Sequence, residues 1–410
     1  MNFNPKIAHN YARNLARPRQ VGTSEEKLIA QEIAWKLEQS GFLVNYQSFQ
    51  FSAALERVLS AEILLGLVLV LSTMLTSGIN QLITLYLTGL LISLIMLIGP
   101  ITHKVQRNSF GSTDEDGISL WSSICWKVGA RYQTKNIVAT LPESPDDRTL
   151  PHLYLVAHYD SKSQYLPLVI RIALFVLVIT GSLVFSVLNV INLVNESFTP
   201  VLFLIGFFVT ICGIPLLFLD YGNDSPGAID DASGVGLVLH LAEIIAKRPA
   251  VVGKLRITAL ITSAEELAVK GALAYVQHNE DYLHNQANVG GLHVLNFDGI
   301  GVDGRLYLVG GDRRRARVTD NDLYRLVRQS AEELGIPMGR FSLPGAMFDH
   351  IPFAEDGYDA VSIIGIGKAT WSIHTANDSP EKLHARGFGQ AGGLAIRVIE
   401  NLSGEKFNQE

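Results

Sequence analysis

Cysteine is nearly absent: Cys125 and Cys212 are the only two in 410 residues, which leaves no disulfide framework and agrees with a reducing compartment. Charge is scarce too. Asp, Glu, Lys and Arg make up 18% of the chain against 48% hydrophobic residues, and mean hydropathy is +0.23, too apolar for an ordinary soluble chain. No charged residue lies between Glu62 and Lys104. The first twenty residues hold no apolar run, so no cleavable export signal is expected there. Internal repeats, a glycine-rich phosphate loop and a basic stripe are also missing, and nucleic acid is therefore not an expected partner. Arg313–Arg317 is the one basic run and reads as a solvated loop.

Where charge is missing, length takes over. Leu59–Ser77 and Leu82–Ile101 are apolar runs of about 20 residues, enough to cross ~30 Å of hydrocarbon. Leu168–Leu188 and Pro200–Leu219 form a second pair, interrupted by Asn189, Asn192, Asn195 and Glu196. Paired runs with short uncharged connections point to two membrane hairpins rather than to buried core helices. The expectation is an integral membrane protein with four spans. Arg171 either extends its head to the lipid headgroups or faces a polar cavity. Arg57, Lys104, Arg107, Lys162 and Arg171 flank the runs, whereas the tips Ser77–Gln81 and Asn189–Pro200 hold no basic residue. The positive-inside rule then places the rest of the chain in the cytoplasm.

That remainder reads as one domain, 1–57, 103–163 and 221–410, interrupted by hairpins at 58–102 and 164–220. Residues 5–40 suggest a helical start with a cap near Thr23 and a stop at Gly41. Phe42–Phe51, Asn136–Leu141, Leu153–Ala157, Leu255–Ile261, Leu292–Asn296 and Ala360–Gly365 read as strands. Helices are expected over Val235–Lys247, Val269–His278, Leu323–Leu334 and Phe388–Asn401. Strands alternating with helices predict an α/β fold, a mostly parallel twisted sheet with helices on both faces.

Five short segments carry the chemistry: Val156–Ser161 (VAHYDS), Pro226–Gly234 (PGAIDDASG), Thr262–Leu267 (TSAEEL), Asn296–Gly299 (NFDG) and His374–Asp378 (HTAND). Each alone is ordinary; an H-x-D at a strand end or a Glu-Glu pair at a helix start is common polar surface. Position makes the difference. His158, Glu266 and Asp298 each follow an apolar, β-branched run, so they gather at the C-terminal strand ends where open α/β sheets place their sites. Imidazoles and carboxylates together suit Zn²⁺ where one coordination position must stay open.

In order and rough spacing, the five segments resemble the co-catalytic di-zinc exopeptidases, the superfamily of bacterial aminopeptidase S, glutamate carboxypeptidase and glutaminyl cyclase. The resemblance covers residues ~5–55 and ~130–402, apart from the two insertions. It implies two Zn²⁺ per chain. His158 and Asp298 would bind one, Glu266 and His374 the other, and Asp230 would bridge them. Glu265 would be the general base, and Asp160 would orient His158 through the ring nitrogen not used for metal. Two metals sharing a carboxylate can together acidify a water and polarise a carbonyl, while a separate base takes the proton and returns it to the leaving amine. Phe348–Phe353 (FDHIPF) followed by Gly357–Ala360 resembles the family's S-D-H-x-P-F…G-I-P-A segment, with Phe348 where Ser is usual. Ile373 stands where aminopeptidase relatives often carry Tyr, so the oxyanion needs another donor or the metals alone.

The implied activity is a membrane-anchored aminopeptidase acting on peptides. The alternatives are a glutaminyl-cyclase-like acyltransferase and a non-catalytic scaffold of the nicalin or transferrin-receptor kind, which lose metal ligands that all five positions here retain. About six residues join Asp160 to the third apolar run, at most ~21 Å even if extended, so a site close to the bilayer and membrane-associated substrates are expected.

Overall fold

The expected strands Leu255–Ile261, Leu153–Ala157, Leu292–Asn296 and Ala360–Gly365 lie side by side at the centre of one sheet. The computed structural model describes residues 3–111, 120–142, 149–194, 198–310, 322–343 and 345–407. The basic run Arg313–Arg317 and the interrupting Asn195 and Glu196 lie outside the described residues. The strands are β1 (Leu43–Ser52), β2 (Arg131–Thr140), β3 (His152–His158), β4 (Ser163–Gln164), β5 (Tyr221–Gly222), β6 (Arg256–Thr262), β7 (Leu292–Asp298), β8 (Gly304–Gly310), β9 (Met338–Arg340) and β10 (Asp359–Gly367). Eight form one sheet in the order β1-β2-β6-β3-β7-β10-β8-β9, and β4 pairs with β5 apart from it. β6, β3, β7 and β10 are mutually parallel; β2 and β8 flank them antiparallel, and β9 runs parallel to β8.

Every residue of β3 and β6 is buried, which is why both read as continuous apolar runs rather than as alternating ones. Successive side chains of β3 feed opposite layers. Leu153, Leu155 and Ala157 join a core with the helices Pro5–Leu15, Ser24–Gln39, Ser233–Ile245 and Ala385–Ser403. Tyr154 and Val156 join another with Lys270–His278, Glu280–Val289 and His350–Glu355. Helices thus cover both faces, as a parallel sheet requires. At the expected helix start, the Thr23 hydroxyl accepts from Glu26 N–H, and Gly41 takes a left-handed turn (φ 91°) beyond the end.

The chain divides into two compact units. One comprises Met1–Gln50, Gln133–Ser163 and Gly222–Glu410; the other comprises Phe51–Tyr132 and Gln164–Tyr221. The second contains four helices long and apolar enough to cross a membrane: Ala54–Thr76, Gln81–Arg107, Leu168–Asn192 and Thr199–Leu217, with mean hydropathy of 2.3 to 2.6. They pack on one another through Leu67, Val70, Leu91, Phe185, Leu202 and Val209. Leu75, Leu82, Tyr86, Leu204 and Phe207 stay exposed, the inverse of a soluble bundle and suited to lipid. Two buried hydroxyls there bond within their own helices: Thr88 and Ser186 each donate to a carbonyl four residues back, both at 2.8 Å.

Residues 103–132, expected with the catalytic portion, belong instead to this second unit. The second span continues to Arg107, and backbone bonds from Ser52 to Ser109 (2.7 Å) and Ala53 to Ala130 (2.8 Å) tie the stretch to the start of the first.

Candidate metal centre

Because β6, β3 and β7 are neighbours and parallel, their C-terminal ends share one edge of the sheet. β3 ends on His158 and β7 on Asp298, while β6 ends on Thr262 and feeds the loop carrying Glu265 and Glu266. Asp230 lies on the tight Ala228–Ala232 turn that starts the Ser233–Ile245 helix. Two loop residues adopt left-handed backbone there, Ala264 (φ 59°) and His374 (φ 60°). Such strain in non-glycine residues gathers at functional sites.

Asp230 splits its carboxylate between the two imidazoles: Oδ1 is 3.0 Å from His158 Nε2, and Oδ2 is 3.0 Å from His374 Nε2. Glu266 Oε2 is also 3.0 Å from His374 Nε2. Two ligand groups result, His158–Asp230–Asp298 and Asp230–Glu266–His374, each with ligand atoms within 4.8 Å of one another. The shared member is Asp230. Glu265 belongs to neither group and stands 3.9 Å from His158 Nε2.

A ring of further side chains fixes these groups. Asp160 accepts the backbone N–H of Glu265 (3.2 Å) and of Glu266 (3.3 Å), and its Oδ1 is 3.5 Å from His158 Nδ1. It therefore holds the Glu-Glu loop and stands beside the His158 ring. Asp378 accepts from Ile229 N–H (2.7 Å) and Asp230 N–H (3.2 Å), locking the turn beneath the shared carboxylate. Asp231 accepts from Gly234 N–H (2.8 Å) and Gly299 N–H (3.1 Å), tying that turn to the end of β7. Lys162 donates to the Glu266 carbonyl (2.6 Å) and stands 2.9 Å from its Oε2. Asp349, singled out in the FDHIPF segment, is fully buried and accepts from the Thr262 hydroxyl at the end of β6. Asp378 and Asp231 stand in the segments read from the sequence but carried no assigned role. Lys162 was read as a basic residue flanking the third apolar run, with no role at the site.

The electrostatics call for cations. Burial alone would push both imidazoles toward the neutral form, yet Asp160 and Asp230 raise His158 well above its ordinary range, and Glu266 and Asp230 raise His374. Burial opposes ionisation of Asp230 as well, but its bonds to the two imidazoles hold it below the usual carboxylate range. Glu265 is driven well up, by burial first and then by the charges of Glu266, Asp349 and Asp298. Among the described residues, the buried Glu266 Oε1 and His374 Nδ1 have no hydrogen-bond partner. An acidic, dry cluster with hard oxygen and imidazole donors in two groups fits a pair of divalent cations.

Known proteins share this fold. The chain is 27% identical over 183 residues to Aminopeptidase YwaD of Bacillus subtilis, a match spanning 43% of this chain and 37% of that protein. The solved structure of BSAP, a zinc aminopeptidase from Bacillus subtilis, superposes with a TM-score of 0.56 at 16% identity, covering 100% of this chain and 97% of that one. A glutaminyl cyclase from Bacteroides thetaiotaomicron, bound to N-acetylhistamine, gives a TM-score of 0.55 at 15% identity, covering 98% and 99%. The description Peptidase family M28 matches residues 136–399, and the chain belongs to that family.

Proposed function

We propose that this chain is a membrane-anchored, zinc-dependent aminopeptidase that hydrolyses N-terminal residues from peptides. The observation that carries the reading is the division of Asp230 between two imidazoles, with Glu265 beside the cluster yet outside both ligand groups. His158 and Asp298 would hold one zinc, Glu266 and His374 the second, and Asp230 both. When bound, the pair supplies Lewis acidity toward a water and the scissile carbonyl.

The chain's own residues do the rest. Glu265, raised by its buried acidic setting, takes a proton from the attacking water and returns it to the leaving amine. Asp160 holds Glu265 and Glu266 at their backbones, so the base and its ligand neighbour keep different directions. Basic residues on the flanks of the apolar runs favour a cytoplasmic site, and the short chain between Asp160 and the third run favours membrane-associated substrates. A glutaminyl-cyclase-like transfer is the second reading, favoured by the buried Asp349, whose carboxyl burial pushes up to about 6.

Protein purified in detergent, with and without chelator, should be assayed on aminoacyl, N-terminal glutaminyl and C-terminal glutamyl peptides. Chelator-sensitive release of the N-terminal residue is expected. Ammonia release from glutaminyl peptides without cleavage would establish the cyclase instead, and no turnover of any substrate by zinc-loaded protein would remove both readings. For orientation, a cysteine placed at Gly78 should react with an impermeant thiol reagent on intact cells, and one placed at Ser403 only after lysis. The opposite pattern would refute the cytoplasmic placement.

A further inference from the structure

Two ligand-bearing segments, the one through His158 and Asp160 and the one leading to Asp230, are separated in the chain by the whole insertion Gln164–Tyr221. Something must hold them in register across that gap. Arg19, from the loop before the Ser24–Gln39 helix, is only 1% exposed and lies between them. Its Nε donates to the Tyr159 carbonyl at 2.5 Å, on the first segment. Its Nη1 donates to the Pro226 carbonyl at 2.5 Å and its Nη2 to the Gly227 carbonyl at 2.9 Å, both on the second. A further bond from Nη1 to the Arg17 carbonyl (3.1 Å) fixes the fork to its own loop.

The surroundings are built around this fork. A Cβ on Gly227 would come within 2.6 Å of Ser161 Cβ and 2.9 Å of the guanidinium, so only glycine admits the arginine there. Arg19 N–H donates to Ser161 Oγ (3.1 Å), and that hydroxyl donates to the Ser225 carbonyl (3.1 Å). Further out, Gln20 N–H reaches Asn223 Oδ1 at 2.8 Å, and Asp224 N–H reaches Ser163 Oγ at 3.1 Å. The two segments are thus zipped together from Ser163 and Asp224 inward to Tyr159 and Gly227.

We infer that Arg19 is a positioning residue that clamps the two metal-bearing segments at the root of the inserted hairpin, so that His158, Asp160 and Asp230 meet. The inference rests on the metal reading above. Planar, forked donation is what the arrangement uses; three carbonyls on three residues of two segments need several fixed N–H directions, which one ammonium does not supply.

The test is zinc affinity by chelator competition on full-length protein in detergent, well below its melting transition. Arg19→Met and the milder Arg19→Lys should each bind zinc about 10- to 100-fold more weakly, as for partners that orient metal ligands. Saturating zinc should recover most of the turnover lost in each variant, whereas a general folding defect would lower kcat at every zinc concentration. Cysteines at Ser163 and Gly222 stand across the zipped root, where a Cβ on Gly222 would lie 2.7 Å from Ser163 Oγ. Oxidising that pair in the Arg19→Lys background should restore zinc affinity, and reducing it should remove the rescue. Unchanged affinity in both Arg19 variants would overturn the clamp, as would an oxidised pair that restores nothing. Wild-type protein that takes up no zinc would overturn the metal reading and the clamp with it, so the two failures are distinguishable.

Discussion

β3 carries a histidine at each end, and the two have opposite electrostatics. His152 and His158 are equally buried, at 0% and 1% exposure. At the N-terminal end, burial and the nearby Arg256 push His152 down to about 3; its Nε2 meets the Thr258 hydroxyl, at 2.8 Å, and its ring lies 4.4 Å from that of Tyr154. At the C-terminal end the same burial penalty is outweighed by Asp160 and Asp230, and His158 is pushed up. Burial therefore does not decide the charge of an imidazole; its partners do. One end of the parallel strands is a neutral, aromatic core, and the other is an acidic edge where the candidate ligands gather.

The harshest way to break that contrast is at the shared carboxylate. Asp230→Asn should abolish binding of both metals and reduce activity to the chelator-treated background; a variant that keeps one metal at full affinity would mean Asp230 is not shared. Next comes the proposed base. Glu265→Gln should slow turnover by about 10²- to 10⁴-fold through loss of proton transfer. Near-normal kcat in this variant would transfer the role elsewhere, with the buried Asp349 the first residue to examine.

Asp378→Asn sharpens the contrast from beneath. One amide oxygen replaces two carboxylate oxygens facing Ile229 and Asp230, so zinc should bind about 10- to 100-fold more weakly while the protein stays folded. Equal affinities in a chelator competition would show that the turn holds itself.

The smallest effect belongs to the neutral end. The folded pKa of His152 lies below the unfolded one, so the unfolded chain takes up the proton first. The cost begins near pH 6.5, grows as pH falls and levels off below about 3. It amounts to about 1.4 kcal/mol per pH unit, hence about 2 kcal/mol by pH 5. Between pH 7 and 5, stability should fall more steeply for wild type than for His152→Gln, as read by denaturant unfolding. Parallel slopes would mean that His152 is charged in the fold.

Much of this was legible in the sequence because local pattern and tertiary role coincide. His158, Glu266 and Asp298 follow apolar runs, and those runs are the central strands β3, β6 and β7. The four long apolar helices could be read from length and missing charge. The strands β8 and β9, at one side of the sheet, were not seen: β8 mixes Arg305 and Tyr307 with its inward leucines, and β9 has three residues. Residues 103–132 carry enough polar side chains to read as a continuation of the domain, whereas contacts such as the bonds at Ser109 and Ala130 tie the described part of them to the first apolar helix. Arg19 escaped for a different reason. In the string Arg17-Pro18-Arg19-Gln20 it looks like a surface base, and its role exists only once segments from residues 159 and 227 are brought together.

The most direct measurement is zinc per chain, by elemental analysis of wild type, Glu265→Gln and Glu266→Gln purified side by side. From the two ligand groups and the place of Glu265 outside both, two zincs are expected in wild type and in Glu265→Gln, with the second weakened or lost in Glu266→Gln. Loss of metal in Glu265→Gln but not in Glu266→Gln, or a wild type holding fewer than two, would contradict it.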